Sequence, residues 1–165
     1  MTTTYAPAAP RCATIVHPGD GTMVRAFGNE ILFKLTGEQT GDALSLGLAT
    51  APAGRPGPPP HVHDGEDELF ILLDGQYRFN VEGEWSAAGP GSIVYLPRGV
   101  QHTFQVVGDV DGRHWVITTS GAFPSFYAEC GEAFAAGGPP DVGRLLAIAQ
   151  AHGMRFAAPV GAPTR

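Results

Sequence analysis

The sequence predicts an all-β barrel or sandwich of short strands, followed by a C-terminal helical extension. Three observations predict it. Glycine (23) and proline (15) make up close to a quarter of the 165 residues, about twice their usual share. Spread along the whole chain, they dictate frequent turns. Between the turns, apolar and polar residues alternate with the period of a strand, and after Gly121 that alternation gives way to helical spacing. At this length one domain is expected over 1–165: a loose arm (1–28), a barrel core (about 30–120) and a helical segment (about 123–156).

The arm is rich in Thr, Ala and Pro. Ile31–Leu35 and Ala43–Ala49 read as strands separated by the turn cluster Gly37–Asp42. The proline-rich run 53–60 can be neither helix nor central strand, because proline removes donors and restricts its neighbour, and it leads into His61-Val-His63. Asp67–Asp74 and Gln76–Val81 meet at Asp74-Gly75, a hairpin signal. The first of these is apolar on both faces, with Phe70 and Leu72 on one and Leu69, Ile71 and Leu73 on the other. Such a strand needs a cover on its outer face, either an N-terminal segment or a second copy, so a homodimer is expected. Glu84–Ala87, Ser92–Leu96, Gln101–Val107 and Arg113–Thr119 are further short strands. Pro124–Phe134 is helical, and Asp141 caps a second helix with Val142, Leu145, Leu146 and Ala149 on one face, stopped at Gly153.

Composition removes several function classes. Ten basic against sixteen acidic residues leave a formal charge of −6, and Lys34 is the sole lysine, so no clustered cations exist to hold a nucleic acid. The opening residues lack the basic and apolar regions of a secretory signal, and no apolar run could span a bilayer. A cytoplasmic protein, with Cys12 and Cys130 reduced, is the expectation.

Chemistry concentrates in four residues. His61 and His63, two apart on a strand, share a face. Glu68 returns to that face if Asp64-Gly65 resets the register. His102 sits on an alternating strand whose apolar face also carries Phe104 and Val106. Three imidazoles and a carboxylate converging on an apolar interior are costly unless something satisfies them, and a divalent transition metal does so directly. Iron, nickel, manganese, cobalt and zinc all accept these ligands. Glu66 is the alternative carboxylate; otherwise the acidic run Asp64, Glu66, Asp67 reads as a solvated turn. His17 and His152 have no spacing partner, and His114 is left as a candidate supporting residue. Phe70, Phe79, Phe104, Trp115, Phe123, Phe126 and Tyr127 are candidates for the wall of a substrate pocket. No lysine or arginine other than Arg113, whose face is left open, falls on the metal face, which disfavours sugar phosphates and strongly anionic substrates.

The combined pattern resembles the two-motif signature of the cupin superfamily. His61, His63, Glu68 and Gly75 match the first motif, and Gly91, Pro97, Gly99 and His102 the second. Arg55 stands where the first motif has a leading glycine, and Val106 where the second closes on asparagine. The short inter-motif stretch, Leu35–Gly41, the aromatic segment Phe123–Tyr127 and Ala151-His-Gly153 are similar to small bacterial quercetin 2,3-dioxygenase-like cupins. The resemblance implies a double-stranded β-helix, or jelly-roll barrel. It also implies a metal-dependent dioxygenase in which oxygen attacks a bound, deprotonated polyphenolic or flavonol-like aromatic. Glu68, alone among the ligands in being able to act as a base, is the candidate catalytic residue. The same group includes tailoring proteins of aromatic polyketides, so a non-redox cyclase or isomerase stays open, as does a binding module without catalysis.

Overall fold

The chain alternates extended segments with tight turns because glycines recur where the backbone needs positive φ. Gly28, Gly75, Gly83, Gly91, Gly99 and Gly108 all adopt it, at low steric cost without a Cβ. The computed structural model describes residues 13–135 and 141–157; Cys12, and with it any bridge to Cys130, lies outside them. The elements run β1 (Thr22–Ala26), β2 (Asn29–Leu35), α1 (Gly37–Thr40), β3 (Ser45–Ala51), β4 (His61–His63), β5 (Glu68–Asp74) and β6 (Gln76–Val81). They continue as β7 (Glu84–Ala88), β8 (Ile93–Leu96), β9 (His102–Val107), β10 (Gly112–Thr118), α2 (Phe123–Ala135), α3 (Val142–Ala151) and β11 (Met154–Phe156).

Two antiparallel sheets result, ordered β1-β2-β3-β10-β5-β8 and β11-β4-β9-β6-β7, which is the jelly-roll arrangement expected. Their inner faces meet in one apolar core that includes Ile31, Phe33, Phe70, Leu72, Tyr77, Phe79, Phe104 and Val116. Helix α2 lays Phe123, Phe126, Tyr127, Cys130 and Ala133 across the end of that core. Cys130 is fully buried with no disulfide partner among the described residues, and burial followed by the nearby Glu129 charge pushes its thiol up to about 12. Among the described residues no helix is long and apolar enough to cross a membrane.

The strands and their connections depart from the sequence reading in three places, and part of the turn cluster Gly37–Asp42 forms the short helix α1. Residues 22–26, expected within a loose arm, form β1, paired with β2 from Thr22↔Phe33 to Ala26↔Asn29. Residues 154–156, left without a strand assignment at the end of the helical segment beyond the stop at Gly153, form β11 beside β4, with Met154↔His63 and Phe156↔His61. Gly153, at φ 67°, ends α3 and turns the chain back to reach it. Asp74-Gly75 is a corner between sheets and not a hairpin: β5 pairs with β10 and β8, while β6 pairs with β7 and β9. The hairpin turn sits one strand later at Glu82-Gly83, both at positive φ, the geometry that fits strand twist.

The outer face of the six-stranded sheet is apolar from edge to edge. Cross-strand partners Met23, Leu32, Leu48, Trp115, Ile71 and Ile93 form one row over all six strands. Leu46, Ile117, Leu69 and Tyr95 form a second. Arg25, Glu30, Thr50, Arg113 and Asp74 make a polar border, within which Arg25–Glu30 and Arg113–Asp74 are ion pairs. Lys34, also on this side, donates to the carbonyls of His17, Pro18 and Asp20.

Candidate metal centre

Four side chains far apart in the chain meet between the sheets. β4 supplies His61 and His63, and β9 supplies His102, paired across from His61. Glu68 opens β5 on the opposing sheet, between Thr118 and Leu96. Gly65 and the bends around it reset the register as the sequence suggested. All but half-buried His61 are inaccessible, and one donor atom from each residue lies within 4.8 Å of the others. Glu68 Oε2 is 3.1 Å from His102 Nε2 and 3.8 Å from His63 Nε2.

Each imidazole is aimed by its other nitrogen. His61 Nδ1 is 2.8 Å from the Pro59 carbonyl, His63 Nδ1 is 2.9 Å from Glu66 Oε1, and His102 Nδ1 is 3.0 Å from the Val100 carbonyl. All three partners are acceptors, so Nδ1 carries the hydrogen and Nε2 presents a lone pair to the shared space. His63 Nε2 is buried with no hydrogen-bond partner, an arrangement costly in a closed protein. A cation with bonds of about 2.0–2.2 Å holds opposite donors about 4.4 Å apart, close to the spread seen here. The set is therefore capable of holding a metal ion.

The electrostatics of Glu68 and His61 agree, whereas the carboxylates beside His63 favour its charged form when no cation is bound. Burial alone would raise the Glu68 carboxyl, but His63, His102 and His61 around it reverse this and hold it at about 2. Burial, then the neighbouring His102 and His63, brings His61 down to about 3, so its ring is neutral. Burial works against a charged His63, yet Glu68 and Glu66 outweigh it and raise its pKa.

Glu66 is not part of the cluster; it stands behind His63 and orients it. The rest of the acidic run is a turn open to solvent, as expected, with Asp64 exposed and Asp67 partly so, but each of its aspartates is paired. Asp67 takes a forked contact from Arg98, which lowers its carboxyl to about 2. Asp64 takes another from Arg155 on β11. Gly99 N–H, in the turn before β9, donates to the His63 carbonyl at 2.8 Å. The loops carrying the two motifs thus brace one another. The His63-x-x-Glu66 spacing across Gly65 was the available sign of this pairing.

An apolar cavity opens on the cluster. Its wall includes Ile31, Phe70, Phe104, His114, Phe123, Phe126 and Tyr127, with His61 and Glu68 at the metal end and Phe27 and Phe156 nearby. No lysine or arginine lines it. Its volume is about 50 Å³, below the roughly 150 Å³ of a cavity that takes benzene. Five of the seven expected wall residues are present. Phe79 packs behind them, 5.3 Å from Phe70 and 5.8 Å from Phe104. Trp115 faces the outer side, against Leu48 and Ile71, because His114 and Val116 take the inward positions of β10. His152 caps α3 and reaches Glu129 on α2. His17 is exposed, its carbonyl accepting from Lys34.

Comparison with known proteins agrees with this architecture. Residues 47–118 match the family model described as "Cupin domain". No curated protein sequence matches the chain. Among solved structures, KdgF from Halomonas sp. is similar at 18% identity and TM-score 0.56, over 66% of this chain and 94% of that one. A predicted oxalate decarboxylase from Thermotoga maritima is similar at 19% and 0.58, over 65% and 99%. The polyketide cyclase RemF from Streptomyces resistomycificus is similar at 22% and 0.54, over 65% and 79%. At these identities the likeness is one of fold.

Proposed function

From a cupin domain whose interior joins a three-histidine, one-glutamate cluster to an aromatic cavity, we propose a metal-dependent dioxygenase acting on a flavonol-like or polyphenolic aromatic. The carrying observation is that cavity: neutral, walled by Phe70, Phe104, Phe123, Phe126 and Tyr127, without a cationic side chain, and ending on His61 and Glu68. Such a wall suits a flat, uncharged ring and offers nothing to a phosphate or a dicarboxylate.

His61, His63, Glu68 and His102 would hold one divalent transition metal. Such an ion supplies Lewis acidity that lowers the pKa of a coordinated hydroxyl and, if redox-active, access to molecular oxygen. The protein does the rest. Glu68, ionised, accepts the substrate's hydroxyl proton on a carboxylate oxygen. Phe70 and Phe104 present their rings to the substrate, and the apolar wall excludes water. Phe123 and Phe126 on α2 form part of the same wall.

Oxygen uptake with a flavonol panel, after reconstitution with iron, nickel, manganese or cobalt, is the test. Uptake with at least one metal is expected, and abolition in Glu68→Ala. No uptake with any redox-active metal overturns the reading. A second reading, a non-redox cyclase or isomerase, is favoured by the polar His114 and Asn29 in the same wall, and it predicts turnover with zinc and without oxygen. Binding without turnover would mark a non-catalytic module. The apolar outer sheet is read as the interface of a homodimer.

A further inference from the structure

His114 takes no part in the cluster, yet it is buried to 2% exposure in the cavity wall. It lies 4.9 Å from Phe70 and 5.5 Å from Phe104, ring centre to ring centre. Its Nδ1 is 2.9 Å from the hydroxyl of Tyr77. Tyr77 is itself 1% exposed and packs so tightly on Gly112 that a Cβ there would fall 2.2 Å from the phenol oxygen. Among the described hydrogen bonds the phenol has no partner except His114.

Those facts choose the tautomer. A buried phenol hydrogen needs an acceptor, and His114 Nδ1 is the one within reach. Accepting there leaves the ring's hydrogen on Nε2, since burial holds the pKa of His114 down at about 4 and the ring neutral. The opposite tautomer would orphan the phenol hydrogen inside the protein, which is costly in a buried site. His61, His63 and His102 present the reverse case: their Nδ1 partners are acceptors, so their Nε2 atoms are lone pairs fit for a cation. His114 Nε2–H, on the cavity side, has no acceptor among the described residues.

We propose that His114 is the hydrogen-bond donor at the inner end of the cavity, binding a carbonyl or other neutral acceptor oxygen of an aromatic ligand through Nε2–H. The donor role rests on the reading of the cavity as a ligand site and not on the metal; only a second oxygen on the ligand, at the metal end, rests on the metal. Tyr77 acts as a positioning residue that locks the donor tautomer. On β10 and β5, Thr118 pairs with Glu68 and His114 with Leu72, which puts His114 roughly 13 Å along the strand from the metal end. The ligand class is accordingly a flat, neutral aromatic with oxygens at opposite ends, one for the metal and one for His114.

The test uses histidine-ring nitrogen NMR on the full-length protein, metal-stripped and zinc-loaded, with acetophenone and its near-isostere α-methylstyrene as probes. His114 is expected as the Nε2–H tautomer, with acetophenone shifting its Nε2–H signal and binding roughly three- to tenfold more tightly than the hydrocarbon. His114→Phe, which keeps a ring in the gap, should abolish that preference, and Tyr77→Phe should mix the tautomers and reduce it. An Nδ1–H tautomer, equal binding of the probes, binding of neither, or an undiminished preference in Tyr77→Phe overturns the proposal. Failure of the protein to take up zinc would instead overturn the metal reading alone.

Discussion

At the residue scale the site is a matter of which nitrogen faces which neighbour. Glu66 fixes His63 from behind while its second oxygen, buried, has no partner. Glu66→Ala is therefore expected to weaken metal affinity about 10- to 100-fold, read by titration with a competing chelator, with the four-residue cluster intact. His114 gives a pH prediction with a definite sign. Its folded pKa, about 4, lies below the ordinary histidine value of 6.5. Between those values the unfolded chain binds a proton that the folded chain does not, so stability falls as pH falls through that window. Urea midpoints of metal-stripped wild type and His114→Phe, measured from pH 7.5 to 4, should converge as the pH drops; a constant gap would contradict a neutral buried ring. His61, His63, Glu68 and His102 were legible in the sequence because strand periodicity and motif spacing both point to them. Glu66 was visible only as an alternative ligand and Tyr77 only as a core residue, since their roles depend on contacts around a bend and across a sheet. Trp115 was misplaced by one residue of parity, which on a strand is the whole difference between inside and outside.

At the element scale the sheets are organised by corners. Gly75, at φ 81°, carries the chain from one sheet to the other, and a Cβ there would meet the Gly112 Cα at 2.8 Å. Gly83 has a φ of 94° but faces open space. Gly83→Ala should cost about 1–2 kcal/mol for the left-handed backbone alone. Gly75→Ala should cost distinctly more, because it adds an overlap with backbone that cannot move aside. Equal losses in urea unfolding would contradict the corner assignment. Strand content was largely legible because alternation is local. Partnership was not: Asp74-Gly75 announces a turn, but nothing nearby says whether the next strand folds back or crosses over. β11 escaped notice because three residues after a helix are too few to show a period, although they flank both histidines of β4.

For the whole molecule, the two sheets share one apolar core and a cluster that draws residues from both. The outer face of the six-stranded sheet is left apolar; six strands about 4.8 Å apart and seven residues of about 3.3 Å give it an area on the order of 600 Å². That approaches the ~800 Å² each partner contributes to a standard interface. A second copy related by a two-fold axis would bury the row Met23–Ile93 against itself, inside the polar border. Light scattering should find twice the 17.2 kDa chain mass, and Trp115→Glu should give a folded monomer; a wild-type monomer would contradict the assignment. The central claim, a single ion held between the sheets, is tested most directly by cobalt titration followed through the visible absorption of the bound ion. One equivalent per chain is expected, lost in His102→Ala and in Glu68→Ala, which sit on opposite sheets. No binding, or full binding in both variants, would contradict it.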